Sequence, residues 1–202
     1  MRPPPRFRGS GQPSFDHSPM ARSHRPTRWC DVGSAYAKAI GRRNLSGAGP
    51  GRSGWMGAVT SVPFRLIGDQ RMDRVMPAWA EHYPPFDTVV GYSDLGHAFL
   101  MSSRTGEYGI LDPYSPGVKA YGVFTEVTDF VTRVLFDPSV ITYVLQPGHV
   151  ADIRRRLGLL ADDEVYIATP YPFLGGSETP DAYQKGGVWV FFDLVAQAHG
   201  LE

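Results

Sequence analysis

The feature that most constrains this chain is a reversal of charge and composition near residue 60. Residues 1–60 carry ten Lys or Arg and two Asp or Glu, a net charge of +8, and are rich in Pro, Gly and Ser. Residues 61–202 carry ten Lys or Arg and eighteen Asp or Glu, a net charge of −8. The first stretch has too few apolar residues to offset the ~1–2 kcal/mol of backbone entropy that each ordered residue costs. We therefore expect 1–60 to be a disordered basic tail and 73–202 to be the folded domain.

The basic tail allows three interpretations. A segment with this charge can bind nucleic acid or anionic membranes nonspecifically. A segment rich in Arg and Ser and poor in acids is also typical of a transit peptide. Alternatively, the tail comes from an over-extended reading frame, because Met56 and Met72 offer later starts. If the tail has a partner, we expect nonspecifically bound nucleic acid.

No part of the sequence indicates a secreted or membrane-spanning protein. No run approaches the roughly 20 apolar residues of a membrane span, and no apolar segment near the N-terminus has the pattern of a secretory signal. The single cysteine, Cys30, excludes an intramolecular disulfide. These observations favour a cytoplasmic protein with no membrane partner.

The folded part is predicted to begin with a short helix, Val75–Tyr83, followed by an antiparallel sheet. The clearest hairpin signal is a pair of apolar β-type runs, His97–Ser102 and Glu107–Leu111, on either side of a polar turn that contains a glycine. Similar runs at Thr88–Tyr92 and Lys119–Val123 flank this hairpin. The pattern predicts an antiparallel meander of three or four strands.

Helical periodicity replaces strand periodicity after the meander. Within Glu126–Phe136 the apolar residues recur at helical spacing, and Thr125 is the predicted N-cap. A block of strands followed by a block of helices predicts the α+β class, here an antiparallel β-meander packed on C-terminal helices. The further predicted elements are helices at Pro138–Leu145, His149–Leu157 and Phe191–His199, and short strands at Val165–Thr169 and Gly187–Val190.

The sequence contains no familiar catalytic or metal-binding motif. GxSxG, HExxH, CxxC, P-loop and dinucleotide-binding patterns are absent, and the histidines of the folded part do not have ligand spacing. We therefore expect no metal, no cofactor and no enzymatic activity. One alternative stays open, a hydrolase that uses His97 with Asp94 or Asp112. Hydrogen bonds within turns are the simpler explanation for both acids.

The most informative segment is LGLLADDEVYIATPYPFLGG, residues Leu157–Gly176. Three consecutive acids, Asp162, Asp163 and Glu164, precede a short strand, and a proline-broken loop then closes on two glycines. Adjacent acids point in different directions, so the simplest interpretation is that one caps the loop while the others are solvated. A partner-binding role for the acids is the alternative, with Tyr166 or Tyr171 as the aromatic neighbour, because tyrosine is enriched in interfaces.

This segment resembles the signature of the C-terminal domain of the type VI secretion immunity proteins that neutralise DNase effectors and often carry a GAD-like N-terminal domain. An upstream segment resembles the hairpin of that family, namely YSDLGHAFLMSSRTGEYGILDPYSP. Ser93-Asp94 stands where the family usually has Gly-Asp, and Leu111-Asp112 matches its Leu-Asp pair. The resemblance covers about 75–200, which leaves too little chain before the hairpin for a complete GAD-like domain. The residues that match the signature itself are Leu160, Glu164, Tyr166, Pro170 or Pro172, Leu174, Gly175 and Gly176.

The resemblance implies a non-enzymatic protein that binds a cognate bacterial toxin, a DNase effector in that family, and neutralises it by occlusion. The negative charge of the folded part fits the basic groove of a nuclease. A regulatory or scaffold module that binds other macromolecules is the remaining alternative. The expected partner-contacting residues are Asp162, Asp163, Glu164, Tyr166 and Tyr171. The residues expected to be structural are Asp94, Leu111, Asp112, Leu174, Gly175 and Gly176.

Overall fold

Five antiparallel strands, neighbours in space in the same order as in the chain, form the main sheet. The computed structural model describes residues 62–201, and the predicted tail, 1–60, lies outside the described residues. The α+β class with an antiparallel meander is confirmed. The strands are β1 (Phe64–Arg71), β2 (Thr88–Ser93), β3 (Ala98–Met101), β4 (Glu107–Asp112) and β5 (Gly117–Val123).

The hairpin of β3 and β4 forms where the sequence predicts it. Ala98 pairs with Leu111, and the polar turn closes through a 2.8 Å hydrogen bond from the amide of Gly106 to the carbonyl oxygen of Ser102. Gly106 has a φ of 73°, a conformation that glycine reaches at little cost because it has no Cβ. The turn residue therefore fixes the register of the two strands.

Strand β1 extends the sheet beyond the predicted meander, so the folded part begins before residue 73. Its pairing with β2 is interrupted by a bulge between Leu66 and Gln70. A bulge breaks the alternation of apolar and polar side chains by which a strand is recognised in a sequence. This explains why the local pattern of FRLIGDQR does not identify a strand.

Alternate residues of the sheet enter two separate cores, as the two-residue period of a strand requires. Leu100 and Leu111 face the first core, whereas Phe99 and Ile110 face the second. Helices cover both faces of the sheet, which explains why every residue of β2 is buried. The first core contains residues of α1 (Met72–Val75), α2 (Pro77–His82) and α6 (Val188–His199), and the second contains residues of α3 (Val127–Phe130) and α4 (Pro138–Val140).

The predicted apolar stripe after the meander packs on the second face of the sheet. Phe130, in α3, stacks on Tyr108 of β4 with ring centroids 4.9 Å apart. Helix α3 continues directly into a π-helical turn, Val131–Leu135. Glu126 is the N-cap and makes no side-chain cap bond, so the cap predicted at Thr125 is wrong.

The helices predicted at Pro138–Leu145 and His149–Leu157 are both confirmed. Helix α4 continues into a second π-helical turn, Ile141–Leu145, and α5 spans Pro147–Leu157. Gly158 ends α5 with a φ of 80°. No helix among residues 62–201 is both long and apolar enough to cross a membrane.

A two-stranded sheet of β6 (Glu164–Ala168) and β7 (Tyr183–Gly187) precedes the closing helix. The strand predicted at Gly187–Val190 is wrong, because α6 begins at Val188. The run VWVFF has β-type composition, but the buried residues of α6 follow the helical period and fill the first core. These buried residues are Val188, Phe191, Phe192, Val195 and Ala196.

Candidate functional site

A polar cavity of about 400 Å³ opens at one end of the main sheet. Consecutive hairpins of a meander place alternate turns at the same end, so the β2–β3 turn and the β4–β5 turn meet here. The π-helical turn after α4 and the loop between β6 and β7 complete the wall. The lining residues are Leu95, His97, Asp112, Tyr114, Ser115, Tyr143, Gln146, Pro172, Phe173, Glu178 and Tyr183.

His97 is held in place by the turn that precedes β3. Its backbone amide donates to Ser93 Oγ over 3.0 Å, and its ring Nδ1 lies 3.1 Å from the same Oγ. Burial lowers the pKa of His97, although the nearby carboxylate of Asp112 acts in the opposite direction. His97 is therefore neutral near pH 7, and Nε2 is its ring nitrogen without a hydrogen bond to any described residue.

Asp112 shapes the β4–β5 turn, as the sequence predicts. Its Oδ1 accepts hydrogen bonds from the amides of Tyr114, over 3.0 Å, and Ser115, over 3.3 Å. This arrangement is an Asx turn, which fixes the carboxylate at the cavity wall. Asp112 and His97 line the same cavity, but no hydrogen bond joins their side chains in the described part of the chain.

Asp94 does not stabilise its own turn. It is only 5% exposed, and its Oδ2 accepts a 2.9 Å hydrogen bond from Arg154 in α5. Burial raises the pKa of Asp94, and the guanidinium of Arg154 only partly offsets this effect. The partner of the Asp94 side chain therefore lies sixty residues away, and the hydrogen bond predicted within its own turn is wrong.

Glu178 lies close to two phenols of the cavity. Burial raises the pKa of Tyr183 to about 12, and the carboxylate of Glu178 adds to the increase. Burial raises the pKa of Tyr114 as well, with a small contribution from Glu178. The hydroxyl oxygen of Tyr114 accepts a 3.2 Å hydrogen bond from the amide of Ala168. Tyr183 is 7% exposed, and its hydroxyl has no hydrogen-bond partner among residues 62–201.

The outer rim of the cavity is formed by a strained residue and an exposed aromatic ring. Gln146 ends the π-helical turn with φ 41° and ψ 55°, a left-handed conformation that costs a non-glycine residue about 1–2 kcal/mol. Tyr143 is 76% exposed, and its carbonyl oxygen accepts a 3.3 Å hydrogen bond from Gln146 Nε2. Strained backbone and π-helical turns are both enriched at functional sites.

The acidic segment before β6 lies on a different surface. Asp162 and Asp163 are exposed and line a shallow cleft of about 510 Å³ with Arg65. Arg65 Nη1 lies 3.4 Å from Asp162 Oδ1. Glu164 Oε2 accepts a 2.8 Å hydrogen bond from the amide of Ala161, so one acid caps the loop as the structural interpretation expects.

The two tyrosines predicted as partner contacts do not join these acids at the surface. Tyr166 is fully buried and donates a 2.6 Å hydrogen bond to the carbonyl oxygen of Gly158, so it presents no surface to a partner. Tyr171 follows the opposite end of β6 and is half-buried against Tyr114 and Phe173. Only Asp162 and Asp163 of the five predicted contact residues are exposed together.

The closing glycines of the motif make a tight loop. Gly175 has a φ of 85°, and a Cβ on Gly176 would lie 1.8 Å from the carbonyl oxygen of Pro170. Leu111 is fully buried, in keeping with a structural role. Leu174 is instead 61% exposed and does not contribute to the core.

The sequence does not predict a functional role for four of the cavity residues, namely Tyr143, Gln146, Glu178 and Tyr183. They come from three separate elements, and no short motif joins them. Only the placement of Asp112 in a turn next to the one that bears His97 hints at a site at this end of the sheet. No group of three or more His, Cys, Asp or Glu within the described residues is arranged to hold a metal ion.

Comparisons with known proteins add little to this geometry. No family model matches the sequence, and no curated protein matches it. A solved structure, the crystal structure of Atu4351 from Agrobacterium tumefaciens, resembles the chain with a TM-score of 0.47 and 13% sequence identity. The likeness covers 88% of this chain and 84% of that chain. At this distance it carries no inference about what either surface of this chain binds.

Proposed function

We propose that this chain is a non-enzymatic immunity protein that binds a basic bacterial toxin, such as a DNase effector, and neutralises it by occlusion. The supporting observation is that many carboxylates of the described residues form no hydrogen bond or ion pair within the fold. Half of the ten Lys and Arg side chains between residues 62 and 201 form ion pairs within the fold. The acids of this region without a hydrogen bond or ion pair from their side chains are Asp69, Glu81, Glu107, Glu126, Asp129, Asp163, Glu178 and Asp193.

These carboxylates favour a basic partner for a physical reason. Unpaired carboxylates repel one another and contribute nothing to the stability of the isolated fold. They attract a cationic surface and accelerate its association, most strongly at low ionic strength. A nuclease must present a cationic groove to the phosphates of its substrate, so an anionic protein can occupy that groove and exclude the nucleic acid.

Co-expression of the chain with candidate basic DNase toxins of bacteria tests this function. We expect the chain to restore growth of a bacterial host that the toxin alone arrests. An unrelated acidic protein of similar size, expressed to the same level, controls for a general effect of charge. Continued growth arrest in the presence of abundant chain would overturn the proposal.

A hydrolase remains the second candidate, because His97 and Asp112 line one cavity. His97 is neutral and could accept a proton at Nε2, which is the requirement for a general base. Ser93 is fully buried, so water rather than this hydroxyl would have to be the nucleophile. Turnover of ester or phosphodiester substrates that His97→Gln abolishes would favour this candidate, and turnover that survives this substitution would count against it.

A further inference from the structure

The cavity at the end of the main sheet has an excess of negative charge. Asp112 and Glu178 contribute two carboxylates, and no Lys or Arg is among the lining residues of the described chain. His97 does not offset this charge, because burial keeps its ring neutral near pH 7. A ligand that enters the cavity therefore meets two carboxylates and no Lys or Arg on the walls that the structure describes.

The walls of the cavity are aromatic as well as acidic. Tyr114, Tyr143, Phe173 and Tyr183 line the same cavity as the two carboxylates. The face of an aromatic ring attracts a cation through its quadrupole, and this attraction is stronger where water is excluded. Aromatic walls with a carboxylate suit an organic cation, whereas a metal ion needs several converging oxygen or nitrogen ligands.

One polar group of the cavity still lacks a partner. The side chain of Tyr183 is more than nine-tenths buried, lines the cavity, and has a hydroxyl without a hydrogen bond to any residue between 62 and 201. The hydroxyl itself keeps some accessible surface, so a ligand that enters the cavity can reach it. A ligand in the cavity could bond to this hydroxyl while its charge faces Glu178.

We propose that this cavity is a receptor for an organic cation, a guanidinium or a primary ammonium group. Its volume of about 400 Å³ lies in the range of ligand pockets and has room for one long side chain or a small amine. On the function proposed above, the cation is an Arg or Lys side chain of the toxin, and this identification rests on that function. Cation binding by the cavity does not depend on it.

Titration of the full chain with N-acetyl-arginine-methylamide, followed by the amide NMR signals of Ser115 and Gln146, tests the receptor. We expect saturable shifts with this probe and none with the citrulline analogue, which has the same shape without the charge. Glu178→Gln should weaken the probe about tenfold, the equivalent of one charge-assisted hydrogen bond. Asp112→Asn keeps the turn acceptor Oδ1 and should weaken the probe as well.

Glu81→Gln is the matched control, because Glu81 is an exposed glutamate on α2 and does not line the cavity. It should leave the affinity for the probe unchanged. Equal binding of the arginine and citrulline probes, or an affinity that neither cavity substitution alters, would overturn the proposal. Glu178 is exposed and makes no hydrogen bond within the described chain, so its substitution does not threaten the fold.

The source of the cation follows from a second titration with the toxin. Weaker toxin binding by Glu178→Gln, with Glu81→Gln unchanged, identifies a toxin side chain as the ligand. Equal toxin binding by both variants, with the probe still dependent on Glu178, identifies a small amine instead. If the probe binds and the toxin does not, the immunity function fails and the receptor stands. If the toxin binds and the probe does not, the receptor fails and the immunity function stands.

Discussion

Arg154 Nη2 donates a 2.9 Å hydrogen bond to the Oδ2 of Asp94, which joins helix α5 to the turn after β2. The guanidinium also hydrogen-bonds to the side chain of Tyr166, in the small sheet. Asp94 is almost fully buried, and Arg154 is the main cation that stabilises its charge, with a further contribution from Arg65. The pair therefore connects the meander to the C-terminal part of the fold.

Replacement of Arg154 by Met should lower the free energy of unfolding by about 3 kcal/mol, because it leaves a buried carboxylate unpaired. Arg155→Met, which removes an exposed pair with Asp152 in the same helix, should cost less than about 1 kcal/mol. Urea denaturation at pH 7 measures both values. Equal losses for the two variants would contradict the importance of the buried pair.

The same pair gives a pH dependence with a defined sign. Burial raises the pKa of Asp94 above its unfolded value, so ionisation of this carboxyl disfavours the folded state. Loss of Arg154 raises that pKa further, because the guanidinium no longer stabilises the charge. The destabilisation by Arg154→Met should therefore shrink as the pH falls from 7 toward 4. A loss of stability that stays constant over this range would show that Asp94 is not the cause.

His97 should make the folded state sensitive to mild acid. Burial lowers its pKa in the folded chain, so the unfolded chain binds a proton more readily once the pH falls below about 6.5. Stability should be fully present above this pH and decrease as the pH falls toward 5.5. His97→Gln should flatten the profile, whereas His82→Gln, at an exposed position, should not. Parallel melting-temperature profiles for the wild type and His97→Gln would contradict this prediction.

Gly96 is predicted to tolerate no side chain. It has a φ of +85°, and a Cβ there would lie 2.5 Å from Cε1 of the buried Phe191 ring. Gly96→Ala should destabilise the fold by about 2–4 kcal/mol, from backbone strain together with core overpacking. Gly200→Ala, which has a φ of +72° but open space around the Cβ, should cost only about 1–2 kcal/mol. Thermal melts compare the two, and an equal cost would show that contact with Phe191 is unimportant.

Neutralisation of the acidic cleft should slow association with a basic toxin. Asp162→Asn with Asp163→Asn removes two exposed charges, and we expect the association rate to fall about threefold to tenfold at low salt. The loss should shrink at high salt, because screening suppresses steering. Asp193→Asn is a suitable control with one exposed acid on α6. If the double variant associates as fast as the wild type at low salt, the cleft has no part in steering.

The sequence predicts those parts of the fold that depend on short-range patterns. The turn at Gly106 and the helical spacing of the residues around Phe130 are local signals, and the structure confirms both elements. The bulge at Leu66–Gln70 breaks the alternating pattern by which β1 would be recognised in the sequence. The β-type residues after Val188 predict a strand where the structure has the start of α6. In both places tertiary packing outweighs local preference.

The sequence predicts less of the candidate site than of the fold, because the residues of the site meet only through the topology of the chain. The sequence marks Asp112 and His97 as titratable groups near turns, but Glu178 and Tyr183 reach the same cavity from the loop and strand after β6. The ion pair between Asp94 and Arg154 spans sixty residues. No local sequence motif predicts either the grouping of these cavity residues or the ion pair.

The most direct test of the toxin-binding account is to add the purified chain stepwise to a purified DNase toxin against which it protects in co-expression, and to measure nuclease activity. Occlusion predicts that activity falls linearly and disappears at one equivalent of chain, and that high salt restores part of it. Undiminished nuclease activity at a large excess of folded chain, at low salt, would contradict the account.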